Sequence, residues 1–370
     1  VFRAVATCAQ DESVRVRFEV ALTLSASDTS AATQLLANLA LQDGGDPDFA
    51  SGLLTSTKHR SGEILAELVN VDGFVSRADS GAVALVKRLA SVVGARGDLD
   101  ELAGVLSLLE HDPSGNGWWR AATIMGLGEG LPRYRGPLGR LSLASLQSKP
   151  HEKLEVAVGN LAQVFDRSRE LAVDEVRSTT DRAAAVELLA YQPFAEAAPT
   201  LAELLSNDQP VQVQVACMTA LSRNGSPDAA KIVLDRWNEL GPAVRGDALN
   251  LLLRRIDSTR LALDAMKQGI MSPSALSIDQ RVRLLKHSNT ELKDRATKLF
   301  GGAVSSDRQQ VAKRYESALS LPASAAAGAK VFSRVCAACH RIDGQGHDAG
   351  PDLSDVRNRS KPALLYDILD

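Results

Sequence analysis

Residues with the means to do covalent and metal chemistry are grouped most tightly at Cys336-Ala337-Ala338-Cys339-His340. Two thiols three positions apart, followed at once by an imidazole, can add to the vinyl groups of a haem as thioethers while the histidine ligates the iron. With four Cys and six His in 370 residues, chance writes this pentapeptide on the order of once in a thousand such chains. Three other readings of the pair are open. A zinc half-site needs two more ligands, and only His347 lies close in sequence. A thioredoxin-like redox pair needs a βαβ context, which the pattern here does not offer. A structural disulfide across two intervening residues would be strained. Haem attachment accounts for the histidine as well as the thiols, with Cys336, Cys339 and His340 as haem-binding residues and His340 as iron ligand.

The surrounding chain must position that turn. Ser324 is placed to cap a short helix running through Gly328 and Phe332 to Cys336. Residues 342–359 read as polar loop, and Pro362 to Leu369 begins another helix. Upstream, 304–322 reads as a linking helix with Val311, Tyr315, Ala318 and Leu319 on one face, ended by Leu321-Pro322.

Residues 1–303 carry a different signal, an apolar residue followed by others four, seven and eight positions on. Val14, Phe18, Ala21 and Leu22 fit it, as do Val244, Ala248, Leu251 and Leu252, and Leu292, Ala296, Leu299 and Phe300. Val211, Val215 and Met218 match its first three positions. Asp11, Asp208 and Asn289 stand three residues ahead as candidate helix caps, and Arg15, Arg245 and Lys293 follow the first apolar position. The pattern resembles the second helix of HEAT repeats. The interval is 33 residues from Val211 to Val244 and 48 from Val244 to Leu292, against about 40–47 for HEAT units.

Composition agrees with an all-α chain: 45% hydrophobic, 24% charged and only 4% aromatic. A net charge of −3, with cations interleaved among acids, argues against a nucleic-acid partner. No apolar stretch reaches the roughly 18 residues of a membrane-spanning helix. Cys8 and Cys217, in helical patterns, read as small buried apolar residues. The chain begins at Val1 without an initiator Met. A longer protein with an export signal upstream is therefore expected.

The flanks of the motif resemble class I cytochromes c. Gly328 and Phe332 stand eight and four residues before Cys336, where that family has a Gly and an aromatic on a helix crossing the C-terminal helix. Gly350-Pro351-Asp352-Leu353 matches the family's Gly-Pro after the axial histidine. The resemblance implies that the Pro351 carbonyl accepts the second imidazole proton, with Phe332 and Gly350 also at the haem. A downstream Met ligand and closing helix, usual in that family, do not follow within the chain; Met125, Met218, Met266 and Met271 all precede the motif and read as helix packing. The run from Gly328 to Leu353 and the ending from Leu364 to Asp370 more closely resemble the planctomycete-type haem-binding domain. There, the resemblance implies, HEAT-like repeats precede the haem domain, a dehydrogenase-like β-propeller stands at the N-terminus and a Met-bearing segment follows.

The expected architecture is all-α: a HEAT-like α-solenoid over 1–303, a linking helix over 304–322 and an incomplete class I cytochrome c-like domain over 323–370. The expected role is covalent haem c binding and electron transfer in a periplasm-like space, with a donor or acceptor protein or a fused dehydrogenase domain as partner. No catalytic residue is identified. A scaffold whose solenoid binds a protein partner, with the haem structural or sensory, is the alternative; a five-coordinate haem peroxidase is a third reading.

Overall fold

The computed structural model describes residues 2–57, 59–110, 117–300, 311, 313–347, 349–350, 352–354, 356 and 360–369. They are mostly helical, and they form two compact units, Val1–Ala265 and Met266–Asp370.

Helices in the first unit start where a short polar side chain can accept from a free amide of the first turn. Thr29 accepts from Ala32, Asp46 from Asp48 and Phe49, Asp79 from Ala82 and Asp98 from Glu101. Left-handed glycines at Gly97 (φ 66°) and Gly225 (φ 71°) stop two of the longest. Helices then stack in a column, most of them on the next but one in the chain. Ser30–Asp43, Ser61–Val69, Ser80–Arg96 and Trp118–Gly130 pack each on the next, and so do Glu155–Val173, Thr179–Leu189, Val211–Asn224 and Pro242–Leu252. Each helix buries an Ala-, Leu- and Val-rich stripe, and a fully buried Leu contributes about 1.5–3 kcal/mol. Small residues let the stack close tightly. This helix-on-helix repetition is the α-solenoid expected from the periodicity.

Polar side chains fasten one repeat to the one before. Arg223 Nη1 donates to Tyr191 Oη at 3.0 Å, Asn224 Nδ2 to the Gln192 carbonyl at 3.0 Å, and Arg254 Nη1 to the Ser222 carbonyl at 3.3 Å. Each bond spans 32 residues, so the same reach recurs from repeat to repeat.

The predicted stripes are right for two helices and displaced in two others. Val244, Ala248, Leu251 and Leu252 are all buried, as are Leu292, Ala296 and Phe300, and Asn289 caps the latter helix by accepting from Leu292 at 3.1 Å. Val14 and Val211, however, are 48% and 54% exposed. In Val14–Thr23 the inward face is Arg17, Val20 and Ala21, because Arg17 forms a two-pronged, nearly buried ion pair with Asp43 at 2.6 and 2.7 Å. A charged residue takes a core position there, which apolar periodicity cannot register. Asp11 and Asp208 are not helix caps: Asp11 accepts from Ser13 ahead of the helix, and Asp208 accepts from the Ser206 hydroxyl. Cys217 is fully buried, and burial pushes its thiol pKa up, whereas Cys8 is exposed near a helix end.

In the second unit, the buried side chains lie in its first part: Met266, Met271, Leu276, Leu284, Leu292, Ala296 and Phe300. The repeat boundary at 303 falls among residues outside those described. Of the linking helix, residues 311 and 313–315 are helical and Glu316–Ser320 is a 3-10 turn against which the final helix, Lys361–Leu369, packs. Val311 and Tyr315 are exposed.

A Cβ at Gly126 would overlap the Lys87 carbonyl of the facing helix and stand 2.7 Å from Ala90 Cβ. Gly126→Ala is therefore expected to destabilise the first unit by about 1–3 kcal/mol. Gly104→Ala, facing open space in mid-helix, should be neutral or stabilise by up to about 1 kcal/mol. Urea midpoints of the two variants measure the contrast.

Candidate functional site

Ser324 begins the local structure as expected: its Oγ accepts from Ala327 N at 3.3 Å and caps Ala325–Val331. The helix then widens into a π-turn over Phe332–Cys336, in which Ala337 N reaches back to the Phe332 carbonyl at 2.9 Å. Two amides next converge on one acceptor. Cys339 N and His340 N donate to the Cys336 carbonyl at 3.0 and 2.9 Å, drawing both cysteines and the histidine into one turn. Both thiols are free, Cys336 half-buried and Cys339 exposed, so the described structure does not join them as a disulfide. Among the described residues no three His, Cys, Asp or Glu side chains converge, which leaves the pair without the companions a tetrahedral zinc site needs.

After His340 the chain makes a feature that the loop reading missed. Arg341–Ile342 pairs antiparallel with Gln345–Gly346 across a two-residue turn, Asp343-Gly344, with φ of 45° and 82°. Both turn residues are left-handed, the geometry for which Asp-Gly is favoured between paired strands, so the signal was present in that dipeptide. The hairpin folds back beneath the Cys-His turn. Gly346, at φ 107°, lies so close that a Cβ would overlap the His340 carbonyl, and His347 N donates to the Ala337 carbonyl at 3.1 Å.

The chain then returns to the imidazole. Gly350 N donates to the Cys339 carbonyl at 2.5 Å. A Cβ at Gly350 would stand 2.7 Å from His340 Cε1 and 2.8 Å from Nδ1. Backbone therefore covers the ring at a distance no side chain permits. Pro351 lies outside the described residues. Its neighbour Asp352 is tied down: Oδ1 accepts from Ser354 N and Oγ at 2.8 and 2.6 Å, and Oδ2 accepts from Arg341 Nε at 3.3 Å. Leu353 N donates to the Arg341 carbonyl at 2.7 Å, and Asp343 N to Ser354 Oγ at 2.9 Å. The Ser354 hydroxyl, then Arg341, holds the Asp352 carboxyl below its usual range. An exposed ion pair of this kind adds little stability. Its effect is register, since it joins the residue after His340 to the segment laid across the imidazole.

Phe332 is half-buried at the start of the π-turn. Gly328 faces open space, so the close helix approach expected of it is not made there. Among the described residues from 311 onward none is buried, while Leu321, Val331, Val335 and Ile368 are exposed, the last two at 64% and 80%. Paired thiols, an imidazole covered by backbone on a glycine, and apolar side chains without a core of their own together fit a large planar apolar group carrying a metal.

Comparison with known protein families gives two matches. Residues 172–252 match HEAT repeats, and residues 325–368 match cytochrome c. No curated protein matches the chain. The first match covers the helices from Thr179–Leu189 to Pro242–Leu252; the second runs from the Ser324-capped helix into Lys361–Leu369. The cytochrome c match supports haem binding and electron transfer, and the HEAT match supports a role in protein interaction. No helix among the described residues is long and apolar enough to cross a membrane.

Two predictions follow from the backbone around His340. Gly350→Ala should reduce haem loading by about tenfold, as losses next to a metal-bound histidine do, with Gly328→Ala loading like the parent; pyridine haemochrome per mole of protein reads both. Because the Asp352 carboxyl is depressed in the folded chain, its contribution is present above the unfolded aspartate value and is lost as pH falls through the folded one. Protection of the Asp343 and Leu353 amides, taken relative to intrinsic exchange at each pH, should accordingly hold at pH 5 and fall below about pH 4, and Asp352→Asn should abolish that step.

Proposed function

We propose that residues 323–370 carry haem c through Cys336 and Cys339, with His340 as iron ligand, and that the protein passes single electrons. The observation that carries this reading is the turn itself: two free thiols and an imidazole on one carbonyl-centred turn, with Gly350 against the ring. Haem, when bound there, supplies a one-electron ferrous/ferric couple.

Each residue has a task in that assignment. The thiols of Cys336 and Cys339 would hold the haem as thioethers, each sulfur adding to one vinyl carbon and the thiol hydrogen to the other, with no net oxidation. His340 would ligate the iron through one nitrogen, and Gly350, held to the Cys339 carbonyl, limits rotation of the ring. The Pro351 carbonyl is the proposed acceptor for the second nitrogen. Phe332 and the exposed Val331 and Val335 supply apolar surface. The HEAT-like stack offers a surface for a donor or acceptor, which in our reading is a dehydrogenase domain or a partner protein.

Thioether formation requires reduced thiols and a maturation system on the outer face of the inner membrane, so we place the working protein in a periplasm-like compartment. Optical redox titration of the haem-loaded chain is the test. One reversible one-electron wave, with reduction by a physiological donor in step with that donor's oxidation, is expected. A haem that accepts no electron from any donor able to reduce a soluble c-type cytochrome would contradict the reading.

A further inference from the structure

The connection over 131–142 departs from the rest of the first unit. Gly97 and Asp98 alone separate Ser80–Arg96 from Leu99–Leu108, whereas Trp118–Gly130 is followed by the short 3-10 turn Leu131–Arg133 and then irregular chain up to Leu143–Ser148. In repeat proteins such insertions gather on one face and often form the binding face.

This insertion is cationic and held in place. It carries Arg133, Arg135 and Arg140, and no Asp or Glu occurs between Glu129 and Glu152. Glu129 is itself paired with Lys87 at 2.7 Å. On the turn beside the insertion, Asp98 caps a helix by accepting from Glu101 N, Asp100 pairs with Lys153, and Glu101 pairs with Arg96. The local carboxylates are thus already engaged. Arg133 and Arg140 are exposed and have no carboxylate partner among the described residues. Arg135 spends one nitrogen on the Pro132 and Tyr134 carbonyls at 2.8 and 2.9 Å, leaving the rest of its fork free. Arg135 and Arg140 line one open cleft with Tyr134, Leu141 and Ser142. Tyr134, 9% exposed, anchors the loop, its ring against Gly97 and its hydroxyl against Gly136.

We propose that the 131–142 connection is a docking surface for a carboxylate-rich segment of a partner protein, gripped by Arg133, Arg135 and Arg140. Guanidinium forks match carboxylates in two-pronged geometry and are enriched at protein interfaces. Single-stranded nucleic acid fits less well, because the insertion's one aromatic, Tyr134, is buried and offers no stacking platform.

Fluorescence anisotropy of labelled poly-L-glutamate on the full haem-loaded chain tests this at low ionic strength. The triple variant Arg133→Ser, Arg135→Ser, Arg140→Ser should weaken binding by about tenfold or more and flatten its salt dependence. A control with the same charge loss elsewhere, Lys267→Ser, Lys286→Ser, Lys298→Ser, should change it less than about twofold. The replaced side chains are exposed, and helical circular dichroism of both variants checks that folding is retained. Equal losses in the two triples, no loss in the first, or equally tight binding of inorganic phosphate or poly-uridylate would overturn the proposal.

Discussion

The close approach of backbone to His340 governs everything around it. Gly346 lies against its carbonyl and Gly350 against its ring, both within distances that a Cβ would violate. For these contacts to form together the chain must turn sharply after the histidine and come back. The Asp343-Gly344 hairpin supplies the turn, and the bonds from Gly350 to Cys339 and from Leu353 to Arg341 fix the return. The order of the Cys-His turn, the hairpin and the returning segment is thus a consequence of one packing requirement. Among the described residues of these elements none is buried, so no apolar core of their own holds them. Local hydrogen bonds and glycine contacts do that work.

The first unit is stabilised in the opposite way. Its helices bury continuous stripes of Leu, Ala and Val, and polar side chains tie neighbouring helices together, three of them across 32 residues, so each repeat depends mainly on its neighbours. Such a stack tolerates an irregular insertion at one connection, because a loop leaving the column does not disturb the stripe within it. The arginine-bearing segment over 131–142 is an insertion of that kind, clamped by Tyr134.

Much of this was legible in the sequence, for reasons that differ by residue. The Cys-x-x-Cys-His spacing, Ser324 and Asn289 announce themselves because each acts through local geometry. The solenoid is legible because helical burial imposes a period. The phase of individual helices is less so: Arg17 occupies a core position through its pairing with Asp43, 26 residues on, and no period reveals that. The role of Gly350 could be placed only by family resemblance, since the ring it covers is ten residues away in sequence. The hairpin was available in Asp343-Gly344 but obscured by strands of two residues each, too short to alternate visibly.

The central claim is that Cys336, Cys339 and His340 form a covalent haem site, and peptide mass analysis addresses it most directly. Chain produced with a c-type maturation system is denatured, treated with iodoacetamide and digested. The account predicts that the peptide containing Cys336 to His340 carries the mass of one intact haem and that neither of its sulfurs is alkylated. Recovery of that peptide with both cysteines alkylated, and of the haem as a free molecule, would contradict it.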